Sequence, residues 1–574
     1  MTLGPPNTAG HAPSEATIGV ADPIPGVVYP PLTELKRYVQ AGVLGLENWS
    51  GALHESCRRH TDRIALASPE GDVTYSELDD LVNRAAAAFI GLGLRPTDRV
   101  IFQLSNCKEL VIAFLGCLRA GLIPVCTLAA HREHEIGYIA NHSEARAHIV
   151  QGDDPKFDHV AFASHLRGSV PSMNVLVSAR GAARPGIPRL EDLIERTHPV
   201  QAAALVATVR HDPYQVALMQ LSGGTSGVPK LIPRFNSEYV YNMRAVAGFL
   251  EYRADDVMLM PMPMIHNASM CCAWGPMLLV GGTFIIIPQP SVEALAGALK
   301  RHLPTWLGAG HRELLLRIDE AIKLSGAETS QVRGVWVINS ASFARGEMNL
   351  PGHHIFGMAE GLIMFTRPCD PIEIREHTIG RPVSELDRVR VLKPGTEIEV
   401  GLGEVGELAV KGPYTIHGYY NAEERNKSAF TSLGEYRSGD LISARVFDGV
   451  THFVFEGRIK DVIDRGGEKI SSEEIELALG RHPGVAEVAV VGVPDARLGE
   501  RLCACVLARA NDDAASITIA GFAAFLREMR VAKFKWPEHV EVFEEFPMTK
   551  IGKIDKTALR ELARERIGAT RRST

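Results

Sequence analysis

Between about residues 31 and 199, helical and buried-strand patterns alternate with short connections. That alternation limits the possible folds more than any other feature of the chain. VTYSELDDLVNRAAAAFIGLG opens on a capping box, Thr74 with Glu77, and continues with helical periodicity. DRVIFQLS reads as a short apolar strand, NCKELVIAFLGCLRAG as a helix ending at Gly121, and LIPVCTL as the next strand. REHEIGYIANHSEA followed by AHIVQG repeats the unit. Strands joined in this way form a parallel sheet covered by helices. The style continues from about 214 to 380 through strand YQVALMQLS, helix SEYVYNMRAVAGFL and strand GGTFIII.

From about 383 to 456 the texture changes to short β runs broken by Gly and Pro: RVRVLKPG, GELAVKGP and TIHGYY. A small β-barrel-like subdomain is expected there. Beyond FVFEGRIKD, helix SSEEIELALGRH, strands VAEVAVVGVP and RLCACVLA, helix ITIAGFAAFLREM and strand HVEVFEEFP form a stretch long enough to fold alone. With 574 residues, the chain exceeds the size at which one core keeps growing. The expected organisation is a disordered leader over 1–31 and a large α/β N-terminal domain over 32–459. A small mobile α+β domain follows over 460–563, then a basic tail over 564–574.

Composition excludes some classes. Net charge is −7 and no dense Lys/Arg run precedes the terminal RRST, so nucleic acid is not the expected partner. Nine cysteines occur without any C-x-x-C, and neither Cys271-Cys272 nor Cys503-Ala-Cys505 has metal-ligand spacing. Such a set fits reduced, mostly buried thiols in a cytoplasmic protein. The first residues carry neither a basic nor an apolar signal region, and no run of about 18 apolar residues is present to span a membrane.

The stretch LSGGTSGVPK, 221–230, is too poor in side-chain bulk to serve a core. It follows an apolar strand and joins glycines, hydroxyls and a lysine. Gly223, Gly224 and Gly227 let backbone N–H groups approach a ligand. Ser222, Thr225 and Ser226 add donors, and Lys230 adds charge, which together suit a polyphosphate. A surface turn is the plainer reading of a generic Gly/Ser loop. The common phosphate loop of kinases and NTPases is excluded, because Val228 and Pro229 separate Gly227 from Lys230 and Leu231 stands where that loop has Ser or Thr. A metal must then be held elsewhere.

SGGTSGVPK resembles the phosphate loop of the adenylate-forming superfamily, which includes acyl- and aryl-CoA synthetases, stand-alone aryl-acid adenylating enzymes, peptide-synthetase adenylation domains and luciferases. Four more segments follow in that family's order: FGMAEG at 356–361, YRSGD at 436–440, EGRIKDVIDRGGEKISSEEIE across an interdomain hinge, and PMTKIGKID near the end. The resemblance spans roughly 32–562. SGGTSGVPKLIPR, HN, FGMAEG, KGPYTIHGYY and GRIKD resemble the 2,3-dihydroxybenzoate–AMP ligases in particular.

The resemblance implies attack of a carboxylate on the α-phosphate of ATP, giving an acyl-adenylate and pyrophosphate. A silent binding protein of this fold is disfavoured, since Lys230, Glu360, Asp440 and Lys553 are all present. It further implies that 222–230 holds the β- and γ-phosphates and that Glu360 is the Mg2+ ligand, although on its own a glutamate there is equally a helix-start residue. Phe356, Gly357, Met358 and Ala359 would border the adenine, with Phe356 equally able to serve a core. Ala359 stands where many members have threonine, as in the dihydroxybenzoate ligases. Asp440 would take the ribose hydroxyls or merely cap a turn. Lys553, in a Gly-flanked loop, would bridge the substrate carboxylate and the α-phosphate. Lys460 occupies the hinge position and Arg458 would meet the nucleotide, though both could be ordinary exposed charges. After adenylation the small domain would turn, withdrawing Lys553 and presenting Gly466 and Gly467 for thioester formation.

PMIHNASMCCAW, 263–274, would line the acid pocket, with His266 and Asn267 beside the carboxylate and Cys272, Asn339 and Gly361 around the ring. A His-Asn pair at a strand end is also common as structure. Relatives follow HN with Tyr-Pro and a Ser pair; this chain has Ala268-Ser269 and Cys271-Cys272. INSASFARGEMNLPGHHIFGMAEG is shorter than the equivalent connection and carries Asn339-Ser340 in place of glycines, and WLGAGHREL replaces an apolar turn. Loss of an aromatic wall and of a helix predicts a reshaped cavity and an acid bulkier than dihydroxybenzoate. The expected partners are a small-molecule carboxylic acid and either coenzyme A or a carrier-protein phosphopantetheine, with a homodimer as the assembly.

Overall fold

The computed structural model of the chain describes residues 18–222, 229–310, 312–338, 341–367, 369–465, 468–495, 498–510, 512–529, 531, 533–549 and 553–572. Two mainly parallel sheets form the large domain. The first runs Val175–Ala179, Ala147–Gln151, Arg99–Gln103, Ile123–Cys126, Val216–Leu221, Leu231–Phe235, with only the last pair antiparallel. The second has nine strands, and its parallel body, from Gly352–Gly357 to Ile64–Ala67, is flanked by antiparallel strands.

The helix over Tyr75–Gly91 forms where the sequence requires it. The Glu77 amide donates to Thr74 Oγ1, and the Thr74 amide donates to Glu77 Oε2 at 2.8 Å. Its apolar stripe, Leu78, Val82, Ala85, Ala86 and Phe89, is buried. The helix Lys108–Arg119 packs against it so closely that a Cβ at Gly116 would lie 2.9 Å from Ala85 Cβ. One large core joins both sheets through this helical layer. At its centre Trp49 stacks on Trp274 with ring centroids 5.3 Å apart, and Phe114 meets Trp274 edge-on at 5.9 Å.

The β subdomain is an antiparallel sheet of Arg388–Leu392, Val405–Lys411, Tyr436–Phe447 and Val450–Arg458. The turn Ile459–Asp461 leads from it into a separate C-terminal domain with its own sheet and core. All nine cysteines are free thiols and eight are buried. Among the described residues no helix is long and apolar enough to cross a membrane.

Three sequence expectations need correction. The leader reading of 1–31 fails from residue 18 onward: Ile24 joins a core cluster, and the Tyr29 hydroxyl donates to Gln215 at 2.7 Å. The expected basic tail is instead part of a helix, Lys556–Arg572, whose Leu559 and Ala563 are buried. The connection expected to lose a helix keeps a short one, Ala341–Gly346. It sits so close to the next strand that a Cβ at Gly352 would lie 2.4 Å from Ala341 O.

Burial of an imidazole is expected to make the large domain acid-sensitive. His148, on strand Ala147–Gln151, is fully buried, and burial pushes its pKa down to about 3, with His159 adding repulsion. The unfolded imidazole takes its proton below about pH 6.5, whereas the folded one stays neutral to about 3, so this contribution to stability is full above 6.5 and lost as pH falls. Relative to a His148→Leu variant, the native chain is expected to lose about 1.4 kcal/mol per pH unit below pH 6. Denaturant unfolding of both at pH 7, 6 and 5 checks this, and parallel pH profiles contradict it.

Candidate active site

The glycine-rich loop closes the antiparallel pair Val216–Leu221 and Leu231–Phe235. At its mouth the Ser222 amide donates to Lys230 O at 3.0 Å, and the Lys230 amide donates to Ser222 Oγ at 3.1 Å. These bonds fix where Lys230 leaves the loop. Gly223, Gly224, Thr225, Ser226 and Gly227 lie outside the described residues.

Gly352–Gly357 brings Phe356 to the end of its strand, where its ring centroid lies 5.7 Å from that of Phe455 in the β subdomain. Gly357 pairs with Ile363, whose Cδ1 would lie 2.7 Å from an added Cβ. The chain then turns tightly, with the Met358 amide donating to Leu362 O at 3.0 Å. Gly361 has φ +146°, and a Cβ there would come within 2.5 Å of Tyr414 O, so the turn rests on the segment around 414.

This contact delivers Glu360 to its neighbours. Its carbonyl accepts from the Ile416 amide at 2.9 Å, and its Oε1 accepts from the Tyr419 hydroxyl at 2.8 Å. The Lys230 ammonium lies over the Tyr419 ring, 5.5 Å from the centroid, bringing the ends of two distant motifs onto one tyrosine. Beneath them the Arg234 guanidinium is fully buried. It donates to both Glu238 carboxylate oxygens at 2.9 Å, to Ala359 O at 2.8 Å and to Tyr414 O at 3.3 Å.

Asp440 and Arg458 face each other across the hairpin of the β subdomain, Oδ1 to Nε 3.0 Å. Burial raises the Asp440 carboxyl above its ordinary range; the Arg458 charge opposes that and Glu360 adds to it. Glu360 and Asp440 therefore share one region of the site.

On the other side, His266 caps the short helix Asn267–Ser269, its Nδ1 accepting from the Ala268 amide at 3.3 Å. Asn267 Oδ1 accepts from the buried Tyr239 hydroxyl at 2.9 Å, and its Nδ2 donates to Cys271 Sγ at 3.5 Å. The next five residues, Met270–Trp274, form a π-helical turn, a local widening often found at functional sites. Within it Cys272 is fully buried, its Sγ 3.5 Å from that of Cys271, and its carbonyl accepts from the Tyr252 hydroxyl at 3.1 Å.

Lys553 belongs to the C-terminal domain, where its amide donates to Thr549 Oγ1 at 3.1 Å. Burial and then the Lys553 charge push the His266 imidazole down to about 4. Lys460 lies in the turn between the domains, and its side chain is outside the described residues, as are Asn339, Gly466 and Gly467.

Of the residues that sequence reasoning named, the fold brings Lys230 and Glu360 together on Tyr419, sets Asp440 against Arg458, and places His266 at the start of the helix that carries Asn267. That reasoning missed Arg234, Glu238, Tyr239 and Tyr419. Arg234 and Glu238 had a signal, an Arg four residues before a Glu at a strand-to-helix junction; Tyr419 had none beyond its place in KGPYTIHGYY.

Two family models match the chain: AMP-binding enzyme over residues 53–420, and AMP-binding enzyme C-terminal domain over residues 474–553. Among curated proteins the chain is 36% identical over 550 residues to a salicylyl-CoA synthase / salicylate adenylyltransferase of a Streptomyces species, covering 94% of this chain and 98% of that protein. It is 36% identical over 538 residues to the 2,3-dihydroxybenzoate-AMP ligase of Bacillus subtilis (strain 168), covering 93% and 96%. Among solved structures, that of apo MbtA from Mycobacterium smegmatis superposes with a TM-score of 0.70 at 34% identity, covering 93% and 98%.

Proposed function

Because this chain belongs to the AMP-binding enzyme family and is an adenylate-forming ligase, we propose that it activates a hydroxyaryl carboxylic acid as its acyl-adenylate and passes the acyl group to coenzyme A. The observation that carries this reading is geometric: Glu360 and Lys230, from two motifs far apart in the chain, meet at Tyr419.

The reaction brings two anions together. A carboxylate oxygen of the acid attacks the α-phosphorus of ATP, the bond to the bridging oxygen of the β-phosphate breaks, and pyrophosphate leaves. Positioning and positive potential therefore supply the rate acceleration. Lys230 and the loop 222–230 hold the β- and γ-phosphates, Asp440 holds the ribose hydroxyls, and Phe356 borders the adenine. The Lys553 ammonium bridges the carboxylate and the α-phosphate. His266, held neutral by its low pKa, meets the acid as a hydrogen-bonding group rather than as a second cation, and Asn267 is locked by Tyr239 beside it.

Glu360 is the group that would hold Mg2+. A single buried carboxylate beside the polyphosphate suits a hard cation that takes its other ligands from phosphate and water. Among the described residues no cluster of three His, Cys, Asp or Glu makes an all-protein cage. Bound there, Mg2+ supplies neutralisation of the phosphate charge.

In the second half-reaction the thiolate attacks the acyl carbonyl carbon and AMP leaves. Coenzyme A is our choice of acceptor because a salicylyl-CoA synthase is among the relatives matched over nearly their whole length. The acid is proposed to be bulkier than dihydroxybenzoate, since Ala268 and the Cys271-Cys272 pair stand where the resembling enzymes carry tyrosine and serines.

The test is ATP–pyrophosphate exchange over hydroxybenzoates, naphthoates and larger polycyclic acids, followed by thioester analysis with coenzyme A. An aryl acid is expected to drive exchange without thiol, with the larger acids preferred, and its acyl-CoA to form on adding coenzyme A. Exchange best with small hydroxybenzoates removes the size assignment. Exchange without acyl-CoA removes the acceptor, leaving a phosphopantetheine arm or adenylation alone.

A further inference from the structure

The Glu360 carboxylate and the Lys230 ammonium meet at one side chain that neither motif contains. Tyr419 donates to Glu360 Oε1 at 2.8 Å, and its hydroxyl lies 2.9 Å from that of Tyr436. A phenol has one proton to give. The carboxylate only accepts when ionised, so Tyr419 donates to Glu360 and Tyr436 must donate to Tyr419.

The backbone fixes this arrangement. The Tyr419 amide donates to Asn426 Oδ1 at 2.8 Å, and Asn426 Nδ2 donates back to Tyr419 O at 3.0 Å. The ring itself is buried, packs edge-on against Tyr436 with centroids 6.4 Å apart, and offers its face to Lys230.

We propose that Tyr419 is the positioning residue of the metal and polyphosphate corner. Its hydroxyl sets the direction of the Glu360 carboxylate, its ring sets the Lys230 ammonium, and Tyr436 keeps the Tyr419 proton turned toward the glutamate. The proposal rests on Glu360 as the Mg2+ ligand and deepens that reading, because one residue then couples the placement of the cation to that of the phosphates. A carboxylate whose second oxygen is left to a cation needs such a partner to hold its plane.

The test measures ATP binding to the full chain by calorimetry across a Mg2+ series, alongside exchange kinetics. Tyr419→Phe removes only the hydroxyl. It is expected to raise the Mg2+ needed for half-maximal ATP affinity about tenfold, with the KM of the acid unchanged. Tyr436→Phe is expected to give a smaller rise in the same direction. Tyr419→Leu, which also loses the ring face, is expected to weaken ATP binding even at saturating Mg2+. Native Mg2+ dependence in Tyr419→Phe, with that dependence lost in Glu360→Gln, overturns the proposal while sparing the metal assignment. Native dependence in Glu360→Gln as well overturns both. Should Tyr419→Phe fail to fold, Tyr436→Phe decides alone: a shifted Mg2+ dependence supports the proposal and an unshifted one overturns it.

Discussion

Replacing Lys553 by alanine is expected to cut acid-dependent ATP–pyrophosphate exchange by about two to three orders of magnitude while the chain stays folded. The expected loss is large because, in the proposed reaction, the ammonium bridges two negative groups that must touch. The fold survives because backbone, not the lysine side chain, shapes the loop. The Lys553 amide donates to Thr549 Oγ1 at 3.1 Å, the Thr549 amide donates to Lys553 O at 2.6 Å, and the Asp555 amide closes onto Pro547 O at 2.7 Å. Two further readouts separate this role from a structural one. The His266 imidazole, which burial and then the Lys553 charge push down, is expected to titrate higher in the variant. Thioester formation from supplied acyl-adenylate, a step in which the proposed mechanism gives Lys553 no part, is expected to keep most of its rate. Near-native exchange in Lys553→Ala refutes the assignment.

Glu238→Gln is expected to destabilise the chain by about 3–5 kcal/mol. The Arg234 guanidinium beside it is completely buried and Glu238 is 7% exposed, so removing the carboxylate charge leaves a cation with neither counter-charge nor water. The amide also gives up one of the paired oxygens, while the Phe235 amide still needs Glu238 Oε1 as its acceptor at 2.8 Å. Function should fall with stability, since the same guanidinium holds Ala359 O and Tyr414 O, the two walls of the Glu360 turn. A double replacement, Arg234→Met with Glu238→Leu, removes both charges and is expected to recover much of the stability but not the ATP affinity. Denaturant unfolding with parallel ATP titration reads both effects. A loss under 1 kcal/mol for Glu238→Gln contradicts this account of the pair.

Local chemistry explains what the sequence made legible. The capping box at Thr74 and Glu77, the strand before Ser222 and the shift to β texture after 383 are each written in neighbouring residues, and the structure has each of them, with a short turn at Ile459–Asp461 after the β subdomain. Long-range pairing is not written that way. Ile64–Ala67 reads as part of the first α/β stretch, yet it pairs with Thr283–Ile285 in the other sheet, more than two hundred residues on. The segment from 18 to 31 looks like leader because its order comes from partners such as Gln215, not from periodicity of its own. At the site, Glu360 was found through its motif. Its hydrogen-bond partner lies 59 residues away, and nothing in the spacing of TIHGYY says which tyrosine turns inward. Tyr419 does so because Asn426 clamps its backbone and Tyr436 completes its hydroxyl.

The central claim is that this cleft joins a carboxylate to the α-phosphate of ATP. The most direct measurement is the incorporation of labelled pyrophosphate into ATP by the intact chain, with Mg2+ and a hydroxyaryl acid and with no thiol. The account predicts label in ATP that depends on the acid and disappears in Lys553→Ala. Release of orthophosphate and ADP regardless of acid, or label that never enters ATP with any aryl acid offered, contradicts it.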